Sequence, residues 1–254
     1  MSKLSCRGLF FCILTICMIP LQAWATLPQT LRVVTEATYP PFEFISAEGS
    51  IQGFDIDIVN ALCKHIKVSC MFSNQPWDSL IPSLQLGKFD VLVGGINITE
   101  TRKKQVDFTE PYYMNTDSFV APKNKALDVS RAGLQGKTVG VQRSTTAQYF
   151  LQGEYPQTKI KTYLSQQDAF LDLVLGRVDA VLGDTPVVMK WLKESHSSPK
   201  YVVVGQPMNS AQYFGMGYGI ALKKGNAELL AAFSKALAEI KANGEYEKIV
   251  KKYF

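Results

Sequence analysis

Residues 137–184 have the sequence KTVGVQRSTTAQYFLQGEYPQTKIKTYLSQQDAFLDLVLGRVDAVLGD. The short apolar runs at 137–142, 160–164 and 178–183 are typical of strands, and the two segments between them are typical of helices. Strands that alternate with helices form parallel sheets covered by helices. This stretch therefore predicts an α/β fold.

The same alternation occurs earlier in the chain. Strands are predicted at LRVVTE (31–36), VSCMF (68–72) and FDVLVGG (89–95), and helices at 53–67, at 78–88 with Asp78 as the cap, and from Thr99. The alternation pauses over residues 106–124. The chain thus divides into two α/β halves that follow one another.

The C-terminal part is predicted to add one more strand and a helical tail. The strand is FGMGYGIAL (214–222), in which glycines are regularly spaced. The helix that follows is strongly amphipathic, begins at the capping residue Asn226 and stops at Gly244. Residues 245–254 close the chain.

The first 25 residues have the organisation of a signal peptide. Two basic residues precede an apolar run at 9–19, and an A-x-A site at 23–25 predicts cleavage between Ala25 and Thr26. The apolar run is too short to span a bilayer, which takes about 20 residues. We therefore expect the mature chain to be exported.

Charge and motifs argue against several functional classes. The formal charge of +5 falls to +3 when Lys3 and Arg7 leave with the leader, and no basic block indicates a nucleic-acid partner. The two histidines, His65 and His196, lie outside any zinc-binding motif, and no nucleophile elbow or phosphate-binding loop is present. We expect no enzyme activity, no metal and no cofactor.

Two cysteines, Cys63 and Cys70, remain after the leader is removed. In an oxidising compartment they are expected to form a disulfide. The alternative is a pair of buried free thiols. A loop this short would be stabilised by a few kcal/mol at most.

Polar residues cluster where the predicted strands end. Glu36, Gly94–Gly95, Gln142–Arg143 and Gly183–Asp184 each follow a predicted strand or end it. Ligands of open α/β sheets bind beyond the carboxyl ends of the strands. The sequence therefore predicts a ligand-binding cleft at this edge.

Seven motifs in order resemble the exported amino-acid-binding proteins of ABC importers, the family 3 solute-binding proteins, and in particular their arginine-binding and lysine/arginine/ornithine-binding branch. The motifs are TEATYPPFE, GFDIDIVNALCK, SNQPWDSLIPSL, NITETRKKQVDFTEPYY, GKTVGVQRSTT, GRVDAVLGDTPVVMKWLK and AELLAAFSKALAEIK with the final KKYF. The resemblance covers essentially the whole mature chain.

This resemblance implies a two-lobed, type II periplasmic-binding-protein-like fold, with two open sheets flanked by helices and joined by two crossover strands. Lobe 1 would comprise residues 26–114 and 216–254, and lobe 2 residues 118–210, with hinge segments at 115–117 and 211–215. The implied function is to capture a free basic L-amino acid, arginine first, in the periplasm. A monomer would deliver it to an ABC permease in the inner membrane.

The resemblance also assigns roles to individual residues. Arg102 matches the arginine that clamps the α-carboxylate, and a planar guanidinium suits that group. Thr146 matches the residue whose backbone N–H binds the same carboxylate at a helix start. Asp184 matches the acid that holds the α-ammonium group, and it could also cap a helix.

The remaining positions would surround the ligand's side chain. Tyr39 and Trp77 match two rings that sandwich it, and Glu36 matches the acid at its far end. Asn97 stands where Ser or Thr is usual. Gly94 and Gly95 replace a serine pair, so that only main-chain contacts remain there. Arg143 is also unusual for the family, and we expect it to face solvent.

Two other functions remain open from the sequence. The cyclohexadienyl dehydratases resemble the same family, and an enzyme of that kind would need a general acid, for which Glu36 is the candidate. The chain could instead be the ligand-sensing subunit of a receptor.

Overall fold

The structure, a computed structural model, describes residues 27–125, 127–194 and 199–254. The predicted signal peptide with its cleavage site, and His196, lie outside these ranges. The strands are β1 Thr30–Thr35, β2 Thr38–Tyr39, β3 Glu43–Ile45, β4 Ile51–Gln52, β5 Ser69–Asn74, β6 Val91–Leu92, β7 Val106–Phe108, β8 Asp117–Pro122, β9 Thr138–Gln142, β10 Lys159–Tyr163, β11 Ala180–Asp184, β12 Tyr201–Met208 and β13 Ala221–Lys223. The α-helices are α1 Phe54–His65, α2 Trp77–Gln85, α3 Glu100–Lys103, α4 Thr146–Glu154, α5 Gln166–Val174, α6 Thr185–Glu194, α7 Ala211–Phe214, α8 Ala227–Ala242 and α9 Glu245–Tyr253, and Lys123–Lys125 form a 3-10 turn.

Two five-stranded sheets organise the chain. The first has the order β5-β1-β6-β13-β7 and the second the order β10-β9-β11-β8-β12. In each sheet the first three strands are parallel, which confirms the predicted strand–helix alternation. The other two strands of each sheet run antiparallel to their neighbours. The fold is therefore mixed α/β, with helices packed on both sheets.

A small antiparallel sheet of β2, β3 and β4 follows β1. Strands β2 and β3 come from the stretch around TYPPFEF, in which Tyr39 pairs directly with Glu43 across the turn that contains Pro40 and Pro41, and β4 pairs with β3. Phe42, inside this turn, is fully buried in the apolar core. The turn is thus anchored by its own aromatic residue.

Several local predictions were wrong. The unpatterned segment 106–124 contains β7 and β8, and the strand predicted at 214–222 is reduced to β13. Before β13 the chain turns at Gly215 and Gly217, whose φ angles of 68° and 95° lie in the left-handed region. A Cβ at Gly215 would overlap the carbonyl group of Ile98, so this turn requires glycine at that position.

One predicted helix start differs from expectation. Helix α2 begins at Trp77 after Pro76, so Asp78 is a first-turn residue and not the cap. Residues Ala211–Phe214 form α7, and the hinge role expected of 211–215 stays a prediction.

Other predicted helix boundaries are confirmed by side-chain hydrogen bonds. The Thr99 hydroxyl accepts from the Arg102 backbone N–H at 3.3 Å, and Asn226 Oδ1 accepts from the Leu229 backbone N–H at 3.3 Å. Such caps satisfy N–H groups that have no partner inside the helix.

The helical tail returns to the first sheet. Ile58 and Leu62 of α1 share one buried apolar cluster with Phe233 and Leu237 of α8, and β13 inserts between β6 and β7. The end of the chain therefore packs with residues 27–108. Within the described ranges, no helix has the length and apolar character needed to cross a membrane.

Cys63, at the end of α1, and Cys70, in β5, are joined as a disulfide with their Cα atoms 6.2 Å apart. The predicted pairing is confirmed. The bond ties the C-terminal end of α1 to the strand that follows it.

We predict that the double variant C63S/C70S loses about 2–3 kcal/mol of unfolding free energy, because the open chain gains loop entropy in the unfolded state. Urea unfolding of both proteins under oxidising conditions measures this loss. As a control, reductant should lower the stability of the wild type and leave that of the variant unchanged. Equal stabilities without reductant would contradict the prediction.

Candidate functional site

A cavity lies at the carboxyl ends of the strands, between the two sheets. It measures about 430 Å³ including its opening to solvent. All nine predicted ligand-binding residues line it: Glu36, Tyr39, Trp77, Gly94, Gly95, Asn97, Arg102, Thr146 and Asp184. The structure thus brings together residues from both halves of the sequence, and their contacts with a ligand stay a prediction.

Arg102 supplies positive charge to this cavity. The side chain extends from α3 and is only 8% exposed, its Nη1 donates to the Asn97 carbonyl at 3.0 Å, and its Cζ lies 5.3 Å from the centre of the Trp77 ring. Burial lowers the pKa of Arg102 to about 10, so the group remains charged at neutral pH. Its other N–H groups can donate to an anion.

The N-terminus of α4 lies beside Arg102. Thr145 caps this helix by accepting from the Gln148 backbone N–H, and Thr146 is its first residue. The Thr146 hydroxyl accepts from Asn97 Nδ2 at 2.9 Å, which links the two halves of the chain. First-turn N–H groups have no partner inside a helix and favour anions. Arg102 and the start of α4 therefore place hydrogen-bond donors at one end of the cavity, and anion binding at this end stays a prediction.

Asp184 ends β11 and is buried in the cavity wall. Its carboxylate accepts from Asn115 Nδ2 at 2.5 Å and from the hydroxyl of Tyr39, which reaches it from the first half of the chain. Burial raises the pKa of Asp184, whereas these donors and the nearby Arg102 oppose that rise. The residue is placed to accept from a cationic group.

Glu36 is a second acid in the cavity. It is 6% exposed, and its Oε2 accepts from Gln142 Nε2 at 2.8 Å. The same amide donates to the Leu164 carbonyl at 3.1 Å, which fixes its orientation. Desolvation raises the pKa of Glu36 from 4.5 to about 7, so a cation beside it would favour the ionised form.

The two predicted aromatic residues differ in their surroundings. Tyr39 is held by its pairing with Glu43, and its ring is stacked against Phe42 at a centroid distance of 6.3 Å. Trp77 lies at the start of α2, and its Nε1 donates to the Ser144 carbonyl at 3.1 Å. Both rings can contact an elongated ligand, and both bridge the two halves of the chain.

The adjacent glycines allow the backbone to approach the cavity. Gly95 has a φ of 53°, and its N–H donates to Asp55 Oδ2 at 2.8 Å. A Cβ at Gly94 would lie 3.3 Å from the Thr35 hydroxyl and 3.5 Å from Glu43 Oε1. A side chain at Gly94 would therefore crowd the buried acid Glu43, and one at Gly95 would contact the rings of Tyr39 and Tyr218.

Arg143 lies outside the cavity lining. It is exposed and forms an ion pair with Asp78 across the gap between the two halves. The expectation that Arg143 faces solvent is confirmed, and it adds no cation to the cavity.

Further residues line the cavity that were not among the predicted ligand contacts: Glu43, Asp117, Gln142, Thr145, Ala147, Gln166 and Gly183. The positions of Gln142 and Gly183 at the ends of predicted strands correctly indicate the edge of the sheet at which the cavity lies. Glu43 stands between two aromatic residues, which could have identified it. Asp117 falls in the unpatterned segment, where the sequence offered no signal.

Residues 31–254 match the family of bacterial extracellular solute-binding proteins, family 3. An ABC transporter arginine-binding protein of Escherichia coli strain K12 is 44% identical over 230 residues, which are 91% of this chain and 93% of that protein.

Two solved structures are also similar. A Salmonella typhimurium periplasmic binding protein described as having high arginine specificity is 39% identical with a TM-score of 0.83, over 89% of this chain and all of the other. An ancestral amino-acid-binding protein, described as a precursor of cyclohexadienyl dehydratase, is 36% identical with a TM-score of 0.80, over 89% of this chain and 96% of the other.

We predict that Glu36 lowers the free energy of unfolding of the ligand-free protein as pH rises from about 4.5 to 7. In that window the folded state holds a proton that the unfolded state releases, a difference worth about 3 kcal/mol. Urea unfolding at pH 4.5 and pH 8 should show a smaller loss for Glu36→Gln, which cannot ionise. The other buried acids are common to both proteins, so an identical loss in the variant would refute the assignment.

Proposed function

This chain belongs to the bacterial extracellular solute-binding proteins, family 3, and on that basis we propose that it binds a free basic L-amino acid, L-arginine first. The observation that carries the proposal is the charge arrangement of the cavity. Arg102, which we assign to an anion, lines the same cavity as two buried acids, Glu36 and Asp184. A zwitterion with a cationic side chain matches that pattern.

The α-carboxylate of the ligand is assigned to Arg102 and the N-terminus of α4. A guanidinium and a carboxylate can pair in bidentate fashion, and the helix start adds backbone donors. The α-ammonium group is assigned to Asp184, whose carboxylate already accepts from Tyr39 and Asn115. These two contacts orient any L-amino acid.

The side chain of the ligand then extends along Tyr39 and Trp77 towards Glu36. A cation over an aromatic face gains about 0.5–2 kcal/mol when desolvated. The carboxylate of Glu36 and the amide of Gln142, 2.8 Å apart, close this end. A planar guanidinium suits stacking and paired acceptors better than an ammonium does, which favours arginine over lysine.

The proposal includes two lobes that close around the ligand. Lobe 1 comprises residues 26–114 and 216–254, and lobe 2 residues 118–210, connected through 115–117 and 211–215. Direct contacts across the cavity, such as Asn97 with Thr146 and Glu36 with Gln142, support a closed arrangement. Closure of this kind sequesters the ligand from solvent.

We infer that the mature protein acts in the periplasm as a monomer and hands its ligand to the permease of an ABC importer. The comparisons support the location and the link to an importer, because the Escherichia coli relative is an ABC transporter arginine-binding protein and the Salmonella relative is periplasmic.

No enzyme role is assigned. The resemblance to a dehydratase precursor and the raised pKa of Glu36 make one direct test worthwhile, an assay of prephenate or arogenate turnover. Measurable dehydration would overturn the binding-protein proposal.

We predict that L-arginine raises the thermal midpoint of the mature protein and L-glutamate does not, since only a ligand that binds the folded form stabilises it. Arg102→Ala should weaken L-arginine binding by about 100-fold or more, because it removes the partner of a buried carboxylate. Arg131→Ala is the matched control, since Arg131 is an exposed arginine paired with Glu154 away from the cavity. Calorimetry that finds no binding of L-arginine, or equal losses in both variants, would refute the assignment.

We also predict that Glu36→Ala weakens binding of L-arginine by about 10-fold or more, the usual size of a lost hydrogen bond to a charged group. Uncharged amino acids should lose less, because they do not reach this acid with a cation. Calorimetric titration of the variant with L-arginine and L-glutamine measures the difference. A variant that still strongly favours L-arginine would place the side-chain end of the ligand elsewhere.

A further inference from the structure

Asp117 is a buried acid in the cavity wall that the proposed ligand contacts leave unused. It begins β8 and pairs directly with Asp184 of β11 in an antiparallel register. Residues paired in this way project from the same face of a sheet, with Cβ atoms about 4.5–5.5 Å apart. Asp117 is 1% exposed and lines the cavity.

The hydrogen bonding of the two acids differs. Asp184 accepts from Asn115 and from Tyr39, one at each carboxylate oxygen. Among the described residues, Asp117 Oδ2 has no hydrogen-bond partner. A buried carboxylate oxygen without a donor is costly, and most such groups in folded proteins are satisfied. A donor supplied by a ligand would remove this cost.

Resting on the function proposed above, we propose that Asp117 is a specificity-determining residue, whose carboxylate binds the ligand's α-ammonium group together with that of Asp184. An ammonium group has three N–H donors, so it can serve two acids at once. It also brings positive charge between two carboxylates that would otherwise repel each other.

The charges around Asp117 agree with a shared contact of Asp117 and Asp184 to the ammonium group. Burial, with the adjacent Asp184, holds the pKa of Asp117 well above its usual range. The hydroxyl groups of Tyr39 and Tyr218 lie within electrostatic reach of Asp117. The other charged groups in the cavity lining are Glu36, Glu43 and Arg102. An arriving cation favours the ionised form, so Asp117 should release its proton when the ligand binds.

The consequence is selection for a free α-amino group. A ligand that lacks this group leaves an acid pair buried without its cation. Asp117 would thus help to distinguish amino acids from guanidino acids that have the same side chain and carboxylate.

The test compares L-arginine with 5-guanidinopentanoic acid, which lacks only the α-amino group. Calorimetry on Asp117→Asn should show about 10-fold or more weaker binding of L-arginine, and a change of less than about 2-fold for the analogue. Asp179→Asn is the matched control. Asp179 lies just before the first residue of β11, at the end opposite to Asp184, and accepts from the Thr138 backbone N–H. This variant also removes one carboxylate, and it should change the affinity for neither L-arginine nor the analogue.

An equal change for both ligands, or no change for L-arginine, would overturn the role of Asp117. Failure of the wild type to bind L-arginine would instead reject the proposed function, so the two failures are distinguishable. Circular dichroism establishes whether the variant folds.

If the variant does not fold, proton release by the wild type decides the question. Titrations in two buffers with different ionisation enthalpies give the number of protons released. Both ligands carry the guanidinium assigned to Glu36, so protons released there are common to both titrations. A larger proton release with L-arginine therefore comes from the acids at the α-amino end, Asp117 and Asp184. Equal release by both ligands would overturn the proposal.

Discussion

The imbalance of buried charge in one cavity is the constraint on which the rest of this structure depends. Among the described lining residues, carboxylates come from Glu36, Glu43, Asp117 and Asp184, and a guanidinium comes from Arg102. Removing charges from water is expensive unless each finds a partner. Neutral donors satisfy some of these acids, and burial raises the pKa values of Glu43 and Asp117 well above their usual range. In the proposed function, a ligand with cationic groups supplies the missing partners.

The fold supplies these charges from elements that are far apart in sequence. The parallel strands of each sheet end at the cavity, and helix N-termini and tight turns follow them. Tyr39 reaches Asp184, and Gln142 reaches Glu36, so each half of the chain contributes partners to the other. The cavity is complete only when both sheets are in place. That dependence is the physical basis of the proposed coupling between ligand capture and closure of the two lobes.

Burial acts differently at the two ends of the site. It lowers the pKa of Arg102 only to about 10, which leaves a permanent positive charge for the carboxylate common to all amino acids. It raises the pKa of Glu36 to about 7, so the charge at the side-chain end depends on what binds beside it. In the proposed function, the Arg102 end therefore recognises the group that all amino acids share. At the other end, Glu36 becomes fully ionised only when a cationic side chain binds beside it.

The sequence by itself determined the strand–helix units and the edge at which they end. Alternation predicted the three parallel strands of each sheet, and capping residues such as Thr99 and Asn226 marked helix starts, because these signals are local. It did not predict β7, β8 or the shortening of β13, since these antiparallel strands pair with partners distant in the chain. Positions after strands, together with the family resemblance, identified nine residues that converge on the cavity. Only the tertiary structure added Glu43 and Asp117, which reach the site through cross-strand pairing with Tyr39 and Asp184. The partners and protonation of these acids also depended on tertiary structure, because both follow from burial between elements that no local pattern connects.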